Sequence, residues 1–93
     1  MTATAIPGDT SVAAADKITL LRDQIDALDA QVAHLVAERI QLSKRIQAAR
    51  MSAGGTRLQL GRERVVLDGY RQVLGPDGPV LGEVVLRLCR GAR

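Results

Sequence analysis

Phenylalanine and tryptophan are absent from this chain, and Tyr70 is its sole aromatic residue. Any core must therefore be assembled from Leu, Val, Ile and Ala, and the aromatic platforms on which single-stranded nucleic acids stack cannot be built. Cysteine is as scarce: Cys89 alone excludes an intramolecular disulfide framework, and with His34 the one histidine, a Cys/His zinc site within one chain is excluded too. No stretch approaches the roughly 18 consecutive apolar residues of a membrane span, and no basic segment followed by an apolar one opens the chain. The expectation is a soluble, cytoplasmic protein. Although the net charge is +3, no run of five basic residues occurs, and Lys44-Arg45 is the densest basic pair on the long helix, so the footprint for nucleic acid is weak.

What is present is a seam. Positions alternating three and four apart from Ile18 read Ile18, Leu21, Ile25, Leu28, Val32, Leu35, Arg39, Leu42, Ile46 and Ala49, and every one but Arg39 is apolar. Such a stripe is what a long helix buries against its neighbours, and a guanidinium set into it costs several kcal/mol in desolvation unless an anion meets it. An isolated charge can also serve only to set register, with Glu38 or a partner-chain carboxylate as its counter-ion. Arg50 adds a second observation. On a helix it lies about 20° around from Arg39 and about 16 Å along the axis, so two guanidiniums share one inward face. Arginine grips carboxylate or phosphate with a bidentate fork and keeps its charge on burial, which together point to a dianionic ligand.

The pattern predicts three helices. Residues 1–15 carry Pro7, Gly8, Thr and Ser without an amphipathic period and read as a flexible tail preceding a single helical domain over residues 16–93. From Asp16 as N-cap, the period runs without Gly or Pro to Arg50; Ser52 to Thr56 then form a loop with Gly54-Gly55 as hinge. A second helix is expected over Leu60–Leu74, a turn at Gly75-Pro76-Asp77-Gly78-Pro79, and a short third helix from about Val80 to Arg90. The second and third helices are too short to cover the first, so half of the long seam would face water in a monomer. An intertwined two-fold homodimer covers it with its own copy, and in that arrangement Arg22 enters the partner's cavity.

The chemistry follows from the side chains. Cations and one carboxylate, Glu63 beside Arg62, surround the expected cavity, and no histidine stands near Ser11, Ser43 or Ser52, so triad or covalent catalysis is disfavoured. The set suits a reaction in which a dianion is held in one conformation while fixed donors stabilise developing negative charge, with no proton transfer and no cofactor. Asp23, Asp26, Asp29, Lys44, Arg45 and Arg64 read as solvated-face charges, His34 as a surface residue and Cys89 as a small packing residue; Arg57 in the loop is given no role, and Arg87 and Arg90 near the end fit a partner protein as well as a substrate.

Leu21-Arg22-Asp23-Gln24-Ile25-Asp26-Ala27-Leu28-Asp29, Leu35-Val36-Ala37-Glu38-Arg39, Arg50 and Arg62-Glu63 together resemble the all-helical chorismate mutases, most closely the small intracellular actinobacterial ones. The likeness covers about residues 16–91. It implies an isomerase that rearranges chorismate to prephenate on the route to phenylalanine and tyrosine. It also implies site roles: Arg39 and the partner's Arg22 on the substrate carboxylates, Arg50 at the family's usual Lys position on the ether oxygen, Glu63 on the ring hydroxyl, Arg62 beside a carboxylate, and Gln59 through its backbone N–H. Gly91 falls where many relatives carry Ser, and the chain stops before their Gln, so the resemblance implies weak activity alone and activation by 3-deoxy-D-arabino-heptulosonate-7-phosphate synthase acting on the C-terminal segment. Isochorismate pyruvate lyase or 4-amino-4-deoxychorismate mutase activity on the same cavity, and a non-enzymatic helical interaction module, are the competing readings.

Overall fold

The computed structural model describes residues 7–54 and 60–91, and all elements among them are helical. Helix α1 spans Pro7–Ser52, α2 spans Leu60–Leu74, a single 3₁₀ turn covers Gly75–Asp77, and α3 spans Gly78–Arg90. The chain divides into two compact units, Met1–His34 and Leu35–Arg93.

In the first unit the structure corrects the expected helix start. The helix begins at Pro7, so residues 7–15 are helical rather than a flexible tail, and Asp16 lies inside α1 instead of capping it. Proline suits a first turn because its missing N–H has no intrahelical acceptor there and its φ is already helical. Ala13, Ala14 and Ala15 then extend the helix at the lowest entropic cost of any residue. Ile18, Leu21, Ile25, Leu28 and Val32 are all exposed within the single protomer.

In the second unit α1 ends as the sequence indicates. Ala53 N–H donates to Ala49 O (3.2 Å) and Gly54 N–H to Met51 O (3.1 Å), closing the last turn, where Arg50 complements the helix dipole. Of the expected loop, Ser52 is the last residue of α1 and Ala53-Gly54 form a turn, while Gly55 and Thr56 lie outside the described residues. Helix α2 occupies its expected span, and Gly75 terminates it at φ +81°, a left-handed conformation that L side chains seldom adopt.

The predicted Gly/Pro turn is tighter than read. Pro76 and Pro79 occupy first-turn positions of the 3₁₀ segment and of α3, so α3 starts at Gly78, two residues before Val80. This sharp reversal lets α3 fold back on α2. The contact is closest at Gly78, where a Cβ would fall 2.3 Å from Tyr70 O, and at Gly82, which lies against Leu67 and Tyr70. Half-buried Val66, Leu67 and Tyr70 of α2 face a core made of Val85, Leu86 and Cys89.

Because the obstacle at Gly78 is backbone, no rotamer change relieves it. Gly78→Ala is expected to destabilise the protein by about 1–3 kcal/mol, seen as a lower midpoint in urea unfolding followed by circular dichroism.

Candidate active site

Three helical segments of the second unit converge on a cavity of about 300 Å³. Helix α1 contributes Arg39, Leu42, Ser43, Ile46, Gln47 and Arg50, spaced three and four apart, so that one face of the helix forms one wall. The first turn of α2 supplies Arg62 and Glu63, with Val66 one turn on, and α3 closes the remaining side with Leu86, Cys89 and Arg90. The volume lies at the low end of the range of about 300–1,000 Å³ typical of small-molecule sites.

Polar contacts hold the wall in place. Arg39 Nη1 donates to Cys89 Sγ at 2.9 Å, a link between α1 and the last turn of α3. Arg50 Nη1 donates to Gln47 Oε1 at 3.2 Å, one turn back along α1. Arg90 Nη1 donates to Glu63 Oε2 at 2.6 Å, joining the end of α3 to the start of α2. Arg39, Arg50, Glu63 and Arg90 are half-buried, and Cys89 is buried. Among the described residues four guanidiniums therefore line the cavity with one carboxylate, and Leu42, Ile46, Val66 and Leu86 supply apolar surface between them.

The structure thus brings together four of the six residues singled out in the sequence, Arg39, Arg50, Arg62 and Glu63. Arg22 lies in the first unit, exposed, and does not line the cavity. Gln59 falls outside the described residues. Two lining residues were read differently: Cys89, expected to pack, does pack but also accepts from Arg39, and Arg90, left open between partner and substrate, points into the cavity. Gln47, not among the candidate residues, also lines the cavity. Its signal was available, since it follows Ser43 by four positions and precedes Arg50 by three on the same face.

Such an arrangement binds and polarises rather than attacks. Among the described residues Ser43 is the one hydroxyl in the lining, and no histidine accompanies it. Among the described residues no group of His, Cys, Asp and Glu is placed to hold a metal ion. Arginine donors spread over different walls fit a compact molecule bearing two anionic groups, with the apolar residues excluding water between them.

Known proteins share this framework. The family described as chorismate mutase type II matches residues 21–91. The intracellular chorismate mutase of Mycobacterium tuberculosis is 49% identical over 75 residues, covering 81% of this chain and 70% of the relative. That of Mycolicibacterium smegmatis is 43% identical over 81 residues, covering 87% and 78%. Among solved structures, a chain of the non-covalent complex of DAHP synthase and chorismate mutase from Corynebacterium glutamicum, with a bound transition-state analogue, superposes with a TM-score of 0.81. It is 34% identical and the match covers 87% of this chain and 98% of that one. With the match spanning both the arginine-bearing face of α1 and the α2–α3 hairpin, the chain belongs to the type II chorismate mutase family.

Proposed function

We infer that this chain catalyses the rearrangement of chorismate to prephenate, an isomerisation in aromatic amino acid biosynthesis. The observation that carries the reading is the convergence of Arg39, Arg50, Arg62 and Glu63 on one cavity within a chain of this family. The reaction is pericyclic: a C–O bond breaks as a C–C bond forms, electrons circulate within the substrate, and no group is transferred to the protein. What a protein contributes is conformational restriction of a flexible dianion and stabilisation of the charge that develops on the ether oxygen.

Each residue has a role in that scheme. Arg39 receives one substrate carboxylate, with a guanidinium that Cys89 already orients. Arg50, steadied by Gln47, donates to the ether oxygen. Arg62 lies beside the carboxylate end, and Glu63 accepts from the ring hydroxyl. The competing lyase and aminodeoxychorismate activities would use the same cations, and no feature of the lining favours them.

The functional unit is a homodimer in this proposal. Its support is the apolar stripe of α1, since Leu35, Leu42 and Ile46 are exposed along with Ile18, Leu21, Ile25, Leu28 and Val32, while the buried apolar core of the described protomer is only Val85, Leu86 and Cys89. So small a core supplies little stability by itself, and a self-complementary seam supplies the rest. Arg22, exposed on that helix, completes the partner's site and meets the second carboxylate. A cytoplasmic location follows for an enzyme of this pathway whose relatives are named intracellular; no described helix is long and apolar enough to cross a membrane.

Activation by a DAHP synthase is the remaining element. The Corynebacterium glutamicum relative is found in a non-covalent complex with that synthase. In this chain Gly91 follows the last helical residue and offers no side-chain donor to the ether oxygen, and one absent preorganised donor typically costs about 100–1000-fold in rate. A partner pressing on the end of α3 would act on a segment already tied to Arg39 and Glu63.

Three outcomes are expected. Purified protein converts chorismate to prephenate, identified chromatographically, and Arg50→Ala lowers kcat by about 100-fold or more; undiminished turnover in that variant would remove Arg50 from the mechanism. Arg22→Ala and Arg39→Ala, each inactive alone, regain about a quarter of wild-type activity when co-expressed, because half the dimers are mixed and each mixed dimer has one intact site. Adding the DAHP synthase of the same organism raises kcat/KM by at least about tenfold, checked by titrating the synthase at fixed mutase concentration.

A further inference from the structure

Arg90 is the last residue of α3, and its charge had two readings, toward a substrate or toward a partner protein. The structure gives it a third engagement. Its Nη1 lies 2.6 Å from Glu63 Oε2, with the Arg90 and Glu63 side chains only 34% and 20% exposed, so the pair is largely withdrawn from water and both residues line the cavity.

That contact resolves a difficulty at Glu63. A bare carboxylate in a cavity that must take a dianion repels both of the ligand's charged groups, and the low-dielectric walls strengthen the repulsion. A carboxylate also rotates about its terminal torsion, which is broad for glutamate. A guanidinium bound to one oxygen addresses both problems, cancelling the charge nearby and fixing the plane of the carboxylate. The ion pair engages Oε2, which leaves Oε1 to accept from a hydroxyl.

We propose that Arg90 is a positioning residue: it holds Glu63 through Oε2, offsets the carboxylate charge against a dianionic substrate, and presents Oε1 to the ring hydroxyl. This rests on the role given to Glu63 above. Arg90 acts through Glu63 and makes no contact with the reacting atoms. Since the interaction with the hydroxyl exists before and during the rearrangement, its loss weakens binding of ground state and transition state alike, and the effect falls on KM more than on kcat. A merely structural role, such as tying down the end of α3, would not produce that division.

The test is steady-state kinetics on chorismate with the full chain, for Arg90→Gln, Arg90→Lys, Glu63→Gln and the double variant Glu63→Gln/Arg90→Gln, each checked for folding by circular dichroism. Arg90→Gln is expected to raise KM about tenfold with kcat within about threefold, Arg90→Lys to raise KM only about threefold, and Arg90→Gln to change KM less than about twofold once Glu63 is Gln. An equal rise in both backgrounds overturns the proposal by placing Arg90 on the substrate itself; a lower KM in Arg90→Gln overturns it by making the pair an obstruction; an unchanged KM overturns it outright. Should Arg90→Gln not fold, Arg90→Lys in the two backgrounds makes the same comparison, its rise expected only where Glu63 is present. Wild-type kinetics in Glu63→Gln alone would instead sink the role of Glu63, an outcome distinguishable because it involves no change at Arg90.

Discussion

Arginine keeps its proton in a protein interior, so the guanidiniums of Arg39, Arg50, Arg62 and Arg90 bring permanent charge to a cavity of about 300 Å³ holding one carboxylate. Glu63 is engaged by Arg90, and Arg39 is met by the sulfur of Cys89, a weak acceptor that orients a guanidinium without neutralising it. The cavity therefore retains an excess of positive charge, and a dianion is the ligand that relieves it. In the proposed mechanism the same excess stabilises an oxygen gaining negative charge as a C–O bond lengthens. Binding and rate enhancement would then draw on one electrostatic arrangement, with no nucleophilic attack required.

Core and cavity are built from the same residues. Leu86 and Cys89 belong to the small buried core of α3 and also line the cavity, while Val85 completes the packing toward α2. Helix α3 is seated by its close approach at Gly78, where the backbone of α2 leaves no room for a side chain, and at Gly82, which lies against the Leu67 and Tyr70 side chains. Its last turn then reaches Arg39 through Cys89 and Glu63 through Arg90. Displacement of that turn would alter a cation and the carboxylate together. Under the proposed activation, a partner would not have to enter the site to change its chemistry, because it could act through the end of α3.

Much of this was legible in the residues. Glycine and proline placed the helix boundaries of α2, and the period of α1 marked Arg39 as a charge on an apolar seam. Arg50 could be assigned to nearly the same face because helix geometry converts sequence distance into angle without reference to any other element. The start of α1 was misread because alanine and an N-terminal proline are compatible with both helix and coil, and no periodic apolar residue distinguishes them before Ile18. No such local rule assigns a role to Gln59 or Arg22.

Sequence by itself determined the helical class, the cationic face of α1 and the placing of Arg62 and Glu63 side by side at the head of α2, since each depends on neighbours within a few residues along one helix. Tertiary structure decided that Cys89 touches Arg39, fifty positions away, and that Arg90 reaches back twenty-seven positions to Glu63. Those contacts follow from the sharpness of the turn at Gly75–Asp77 and from how closely α3 settles on α2, quantities set by packing of atoms distant in sequence and carried by no periodicity in the chain.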